Sequence, residues 1–382
     1  MIIQSKMVFI SGQFIPAQIH TDEGKILGIS SYGELTPDVD YGDRLIVPGF
    51  IDIHTHGMGG YSADEPSPEG LIKWLKALPA EGVTSFLPAT TTQSRETTIE
   101  SLKNIAEVKK QRHTGAEIIG VHLEGPFLDD SYKGMHQERY LRSPSIEEFI
   151  EYQKASDNLI KYITLACEHD EDFSLIRYAS RNGVTVSIGH SGANFENAML
   201  ALANGATSFT HSFNAMKALH HREPGVVGAL MSSSAYAEVI ADGYHVHPSV
   251  VKILFNAKNH SNIILVTDSI GVKGLPEGVY DISNVRVSLD EHGTARNFGT
   301  DTIAGSSLKM NEGIRLLVNR ASVPMENAIL AATLNPAKAL GIENQKGQIK
   351  YGNDADIVVL DAGFDVIATY CMGVQVYGQN KC

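Results

Sequence analysis

Eight short β-rich runs, each followed by a stretch that leads into the next, constrain this chain more than any other feature of it. They fall at residues 49–53, 84–89, 118–123, 162–166, 185–189, 208–210, 238–241 and 262–267. Between them, 68–81, 94–111, 171–182, 194–203 and 248–258 carry apolar residues at amphipathic-helix spacing. Strands alternating with helices build parallel sheets, because a parallel connection needs a crossover long enough to bring the chain back. Eight such repeats predict an α/β fold, a (β/α)8 barrel of the TIM type, with its chemistry at the C-terminal ends of the strands. A doubly wound open sheet is the rival, and the lack of a Gly-x-Gly-x-x-Gly after any run counts against it.

The flanks read differently. Residues 7–10, 14–20 and 25–30, and again 357–360, 366–370 and 374–377, are short β-rich segments separated by turn residues. The two ends are expected to pair into one small β-sandwich domain, 1–47 with 345–382, leaving 48–344 as the barrel. Within that span, 277–297 reads as a β-hairpin excursion after the eighth strand and 307–340 as two closing helices.

Charge and cysteine content narrow the function. A net charge of −13 argues against nucleic acid and anionic membrane as partners, so an anionic substrate group must be met by a few local cations. Cys167, Cys371 and Cys382 are too few and too far apart for a disulfide framework or a Cys-x-x-Cys metal site, which points to a reducing compartment. No apolar stretch approaches the roughly 20 residues that span a bilayer, and residues 1–6 lack the layout of a signal peptide. The expectation is a cytoplasmic protein.

Chemistry-bearing side chains collect at the ends of the runs. Residues 48–60 enter through Pro-Gly, run Phe-Ile-Asp-Ile, and place His54 and His56 at the exit, where alternate residues share a face. His122 and Glu124 lie around the third run, His190 after the fifth, His211 after the sixth and Asp268 after the eighth. Each alone has an ordinary structural role, a His bonding a carbonyl or Asp268 capping a helix before Ser269-Ile270-Gly271. Jointly they bear on function, because a barrel gathers its strand ends into one mouth. Neutral imidazoles with a carboxylate suit zinc or iron, and an open coordination position lets bound water ionise near neutral pH. An unligated Asp268 is placed to carry the proton.

In this order, Pro48-Gly-Phe-Ile-Asp, His122-Leu-Glu-Gly-Pro-Phe, Gly189-His-Ser, Thr210-His-Ser-Phe-Asn-Ala-Met, Arg222-Glu-Pro-Gly, Ala241-Asp-Gly-Tyr-His, Val266-Thr-Asp and Ala304-Gly-Ser-Ser-Leu run over nearly the whole chain. Together they resemble the amidohydrolase superfamily and, within it, the sugar-phosphate deacetylases. The resemblance implies a barrel with a β domain from both termini, a homodimer, and hydrolysis of the acetamide of N-acetylglucosamine 6-phosphate to acetate and glucosamine 6-phosphate. It implies that Glu124, His190 and His211 hold the main metal, zinc or iron, and that Asp268 is the acid/base. His136, beside Met135, would polarise the acetyl carbonyl. Asn214, Ala215, Ile303, Ala304, Gly305 and Ser306 would touch the sugar, and His245 and Arg222 the phosphate, with Arg222 reaching across the dimer interface. His54 and His56, sharing Glu124, would hold a second metal. His122 is left as a residue behind the ligands, and His220, His221 and His247 as solvent-facing loop residues.

Residue chemistry supports the phosphate site separately: the fork of Arg222 suits phosphate oxygens and His245 adds charge, although an ion pair with Glu223 is the plainer use of Arg222. Two other readings stand beside the deacetylase. A cyclic-amide hydrolase of the same superfamily typically bridges two metals with a modified Lys after the fourth strand, where this chain has Ala166-Cys-Glu. A barrel scaffold without catalysis would lack a ligand or the Asp, and none is missing.

Overall fold

A computed structural model describes residues 1–111 and 113–378 of the chain. Cys382 and the last positions of the expected small domain lie outside the described residues. Eight parallel strands form the barrel: β1 (Phe50–Thr55), β2 (Val83–Thr90), β3 (Val121–Glu124), β4 (Ile160–Leu165), β5 (Thr185–Ile188), β6 (Ser208–Phe209), β7 (Tyr236–Ile240) and β8 (Ile263–Val266). Each pairs with the next in sequence order. The seam between β8 and β1 closes just beyond the strands, where Asp268 N–H donates to His54 O at 2.8 Å and His56 N–H to Ser269 O at 2.7 Å.

Alternation along each strand sorts its side chains between two cores. Ile51, Ile53, Ile240, Ile264 and Val266 fill the barrel interior, while Phe50, Val239, Ile263 and Leu265 pack outward against the helices. The crossover helices are α1 (Pro68–Ala77), α2 (Arg95–Lys110), α3 (Ile146–Ala155), α4 (Ser174–Arg181), α5 (Phe195–Ala203), α6 (Gly225–Ser232) and α7 (Pro248–Ala257). Ser67, Ser94, Ser145 and Asn194 start four of them by accepting a hydrogen bond from an N–H of the first turn. Helix α6, Gly-Val-Val-Gly-Ala-Leu-Met-Ser, shows no amphipathic period because nearly all of it is buried.

The third run departs from its expected form in a way that matters. It splits into Glu117–Ile118 and β3; Ile118 sits opposite Phe86 but His122 opposite Ala89, so one extra residue is taken up between them. That bulge reverses the alternation. Ile118, Val121 and Leu123 all face the outer core, and His122 and Glu124 therefore face the barrel interior.

After β8 the excursion is a three-stranded sheet, Gly278–Ile282, Val285–Leu289 and Ala295–Asn297, rather than a simple hairpin. Three helices follow instead of two: α8 (Met310–Asn319), α9 (Met325–Ala332) and α10 (Leu334–Ala339). Ala337 and Leu340 join the interior core, and Thr185 Oγ1, at the start of β5, donates to Ala339 O at 2.7 Å, so α10 plugs the end of the barrel opposite the site.

The termini build one eight-stranded sheet. Leu45–Pro48 is its junction, parallel to Ile2–Ile10 and antiparallel to Ile357–Leu360. The sheet curls until the start of its edge strand Lys25–Ser31 meets the segment that leads into Ile357–Leu360, with Ala355 N–H donating to Gly24 O at 2.8 Å, and so encloses a separate core that includes Ile3, Ile19, Ile26, Ile357 and Tyr370.

Candidate active site

The C-terminal strand ends meet around Glu124, which is almost completely buried. Its Oε1 lies 3.4 Å from Nε2 of His54, of His190 and of His211, and its Oε2 lies 3.2 Å from Nε2 of His56 and of His136. The rings also face one another, His54 and His56 Nε2 at 3.1 Å and His190 and His211 Nε2 at 3.0 Å. Asp268 Oδ1 stands 3.2 Å from His56 Nε2 and 3.6 Å from His54 Nε2.

What lies behind each ring fixes what its front can do. His54 Nδ1 donates to Glu238 Oε2 at 2.9 Å, His56 Nδ1 to Ala89 O at 2.9 Å, His190 Nδ1 to Tyr132 O at 2.7 Å and His211 Nδ1 to Asn214 O at 3.2 Å. An imidazole that donates from Nδ1 presents a lone pair at Nε2 when neutral, as a metal ligand must. His136 is the exception. Its Nδ1 accepts from Thr92 N–H at 3.1 Å, so in the neutral ring the proton sits on Nε2 and the residue faces the centre as a donor.

This donor set fits a divalent cation. Glu124 Oε1 is buried without a hydrogen-bond partner, and facing lone pairs on neutral rings call for an electrophile between them. Separations of 3.0–3.4 Å also match the edge of a tetrahedron around an ion with bonds of about 2.0–2.1 Å. Grouping by distance alone sets His54, His56 and Glu124 together, and His136 with Glu124 and His190. The tautomer of His136 argues against the second grouping, and His211 takes its place.

Electrostatics point the same way. Burial would raise Glu124, but the imidazoles, His54 foremost, hold it well below the usual carboxylate range. Burial would likewise raise Asp268, and His54 and His56 hold it far down. Burial lowers His56, yet hydrogen bonds with Asp268 and Glu124 push it up to about 9, whereas burial wins at His190 and takes it to about 4. The carboxylates thus draw positive charge to the His54 and His56 side, a demand that a cation also meets.

Backbone geometry concentrates at these same positions. His190 (φ 48°), His211 (φ 30°) and Asp268 (φ 49°) adopt left-handed conformations just after β5, β6 and β8, and so does Ala215 (φ 48°) further along the loop after β6. Such strain in residues with a Cβ persists where surrounding structure over-determines it, and it gathers at functional sites.

The centre opens into a cleft of about 420 Å³, onto which Met135, His136, Asn214, Ala215, His245, Ile303 and Gly305 project. Ala304 turns instead into the core beneath the excursion, and the Ser306 hydroxyl donates to Thr267 O at 2.5 Å. Gly305 has φ 54°, and a Cβ there would lie 2.9 Å from Asp268 O, so only glycine lets this loop pass so near the carboxylate's own backbone. His245 Nδ1 is held 2.6 Å from Asp242 Oδ2. Arg222 is exposed on the loop before α6, with Nη1 2.6 Å from His221 Nε2, and does not line the cleft of its own chain. His122 lies fully buried behind His54, between Ile53 O and Thr164 Oγ1, and burial keeps it neutral. His220, His221 and His247 are exposed.

Sequence reading passed over Glu238, Tyr132, Thr91 and Thr302. A signal existed for Glu238, a charged residue inside the apolar run Ala-Glu-Val-Ile of a strand buried on both sides. Tyr132 acts through its backbone carbonyl, and no residue type announces that.

A barrel with imidazoles and a carboxylate gathered at its mouth defines a class, the metal-dependent amidohydrolases. The chain matches the amidohydrolase family over residues 45–376 and belongs to it. More narrowly, it is 39% identical over 337 residues to the N-acetylglucosamine-6-phosphate deacetylase of Bacillus subtilis (strain 168), covering 87% of this chain and 84% of that one. It is 34% identical over 331 residues to the N-acetylgalactosamine-6-phosphate deacetylase of Escherichia coli O157:H7, covering 86% and 87%. Among solved structures, a mutant of N-acetyl-D-glucosamine-6-phosphate deacetylase from Mycobacterium smegmatis, in complex with N-acetyl-D-glucosamine-6-phosphate, superposes with a TM-score of 0.93 at 29% identity over 98% of this chain and 99% of that one. No helix among the described residues is long and apolar enough to cross a membrane.

Proposed function

We propose that this chain hydrolyses the acetamide of N-acetylglucosamine 6-phosphate to glucosamine 6-phosphate and acetate, a step in amino-sugar catabolism and recycling. The observation that carries this is the centre itself, four Nδ1-anchored imidazoles on Glu124 with Asp268 and a single opposed donor, His136, in a chain whose relatives bear that activity in their names.

Glu124, His190 and His211 would hold one divalent cation, zinc or iron, and His54 and His56 with the shared Glu124 a second. Bound there, such an ion supplies a Lewis acid that ionises water near neutral pH. Asp268, kept ionised, accepts the proton of the attacking water and delivers it to the departing nitrogen. His136 donates from Nε2 to the carbonyl oxygen as negative charge develops on it. Asn214, Ala215 and the loop around Ile303 and Gly305 bound the sugar. His245 lies on the cleft while Arg222 does not, which favours a homodimer in which Arg222 of a second copy completes the phosphate site. The small domain, 1–47 with 345–382, takes no direct part in the chemistry.

The test is to purify the protein without added metal, count metals per subunit, and follow acetate release from N-acetylglucosamine and from its 6-phosphate. N-acetylgalactosamine 6-phosphate belongs in the same assay, given the relative named for it. Release from N-acetylglucosamine 6-phosphate well above the other two is expected; metal-replete protein that releases acetate from none of them refutes the reading.

A further inference from the structure

Of the four rings that donate from Nδ1 and turn an Nε2 lone pair to the centre, three are held by backbone carbonyls, those of Ala89, Tyr132 and Asn214. His54 alone is held by a carboxylate, Glu238. Glu238 stands on β7 with its side chain fully buried, and faces the interior on the same side as Ile240. One of its oxygens does two jobs. Oε2 accepts from His54 Nδ1 at 2.9 Å and from the backbone N–H of His211 at 3.0 Å, tying the ends of β1 and β6 together, while Oε1 is buried without a partner. Its own carbonyl accepts from Ser212 N–H at 2.8 Å, so β7 grips the His211 turn twice.

We propose that Glu238 is a positioning residue that gives the His54 and His56 side its affinity for a second cation, an inference that rests on the two-cation reading above. Its Oε2 fixes the ring of His54 so that Nε2 faces Glu124, and a carboxylate behind an imidazole makes the front nitrogen a stronger donor than a carbonyl does. The bond to His211 N–H holds the two ligand sets in one frame. His211 itself depends less on Glu238, because its ring is oriented independently by Asn214 O. Removing Glu238 therefore acts unequally on the two positions.

Calorimetric titration of chelator-stripped protein with zinc alone reads this directly, without reference to turnover. Wild type is expected to take up two ions per subunit. Glu238→Ala should weaken one site by about 100-fold and leave the other within about twofold. Glu238→Gln keeps the size of the side chain and an acceptor oxygen, so it should weaken that same site by only about 10-fold; it also carries the test if the alanine variant does not fold. Two sites of unchanged affinity in either variant overturn the proposal, and so does an equal loss at both sites, which would make Glu238 a general structural strut. A single site in the wild type overturns the two-cation reading and the proposal with it, a failure visible before any variant is made.

Discussion

Replacing His136 separates two roles that distance alone leaves together, because Nε2 lies 3.2 Å from Glu124 Oε2 like that of a ligand while Nδ1 accepts from Thr92 N–H like that of a donor's ring. His136→Phe removes the donor and keeps a planar ring in the space. If the residue stabilises the developing oxyanion, kcat falls by about 10²–10³-fold, or about 2.7–4 kcal/mol, the usual cost of deleting one such donor. KM for the phosphorylated sugar and the metals bound per subunit stay at wild-type levels. The same change leaves Thr92 N–H buried without an acceptor and costs about 1–3 kcal/mol of stability, so kinetics belong well below the variant's own melting transition. His136→Gln retains an N–H donor and should recover at least about tenfold of the lost kcat. Steady-state kinetics with metal analysis on the same preparations decide the matter. Loss of a metal in His136→Phe would make the residue a ligand, and an unchanged kcat would remove it from the chemistry.

Other consequences follow from single contacts. Asp268→Asn keeps the shape beside His56 but cannot carry a proton; the variant should bind metal and substrate and lose turnover, and near-normal kcat would remove Asp268 from the role. Arg222→Ala should raise KM for the 6-phosphate by about 10–100-fold, leave the unphosphorylated sugar and the metal content alone, and leave kcat nearly unchanged; an unchanged KM sinks the phosphate assignment. Burial lowers Lys258 to about 8, although its Nζ donates to Leu230 O and Ser233 O. The unfolded chain keeps that proton until near 10.4, so between about pH 8 and 10.4 it binds more protons than the native state, and the Lys258 contribution to stability rises with pH there. Lys258→Met should remove that slope from denaturation midpoints measured across the window, and an unaltered slope would contradict the assignment.

Much of the site was legible because its signals are local. His54, His56, Glu124, His190, His211 and Asp268 each follow or end a β-rich run, and strand ends of a barrel share a mouth whatever the loops do. Glu238 was missed although its oddity is also local, a charge within a buried strand, because no chemistry could be attached to it before its partner was known. The placement of Arg222 shows the opposite limit: the residue type suits phosphate, yet within one chain it stands exposed and off the cleft.

By itself the sequence determined the barrel, the terminal β sheet and the inventory of candidate ligands, since period, turn residues and residue chemistry are properties of neighbours along the chain. Tertiary structure alone decided how those ligands work. The one-residue bulge before β3 turns Glu124 inward, the left-handed turns after β5, β6 and β8 aim His190, His211 and Asp268, and contacts 33–184 residues away in sequence choose the tautomers of His54, His56, His136 and His190. A proton's position on an imidazole is set by what lies behind the ring, and for every ring of the centre but His211, held by Asn214 three residues on, that is a fact of folding across the barrel rather than of the run in which the His is written.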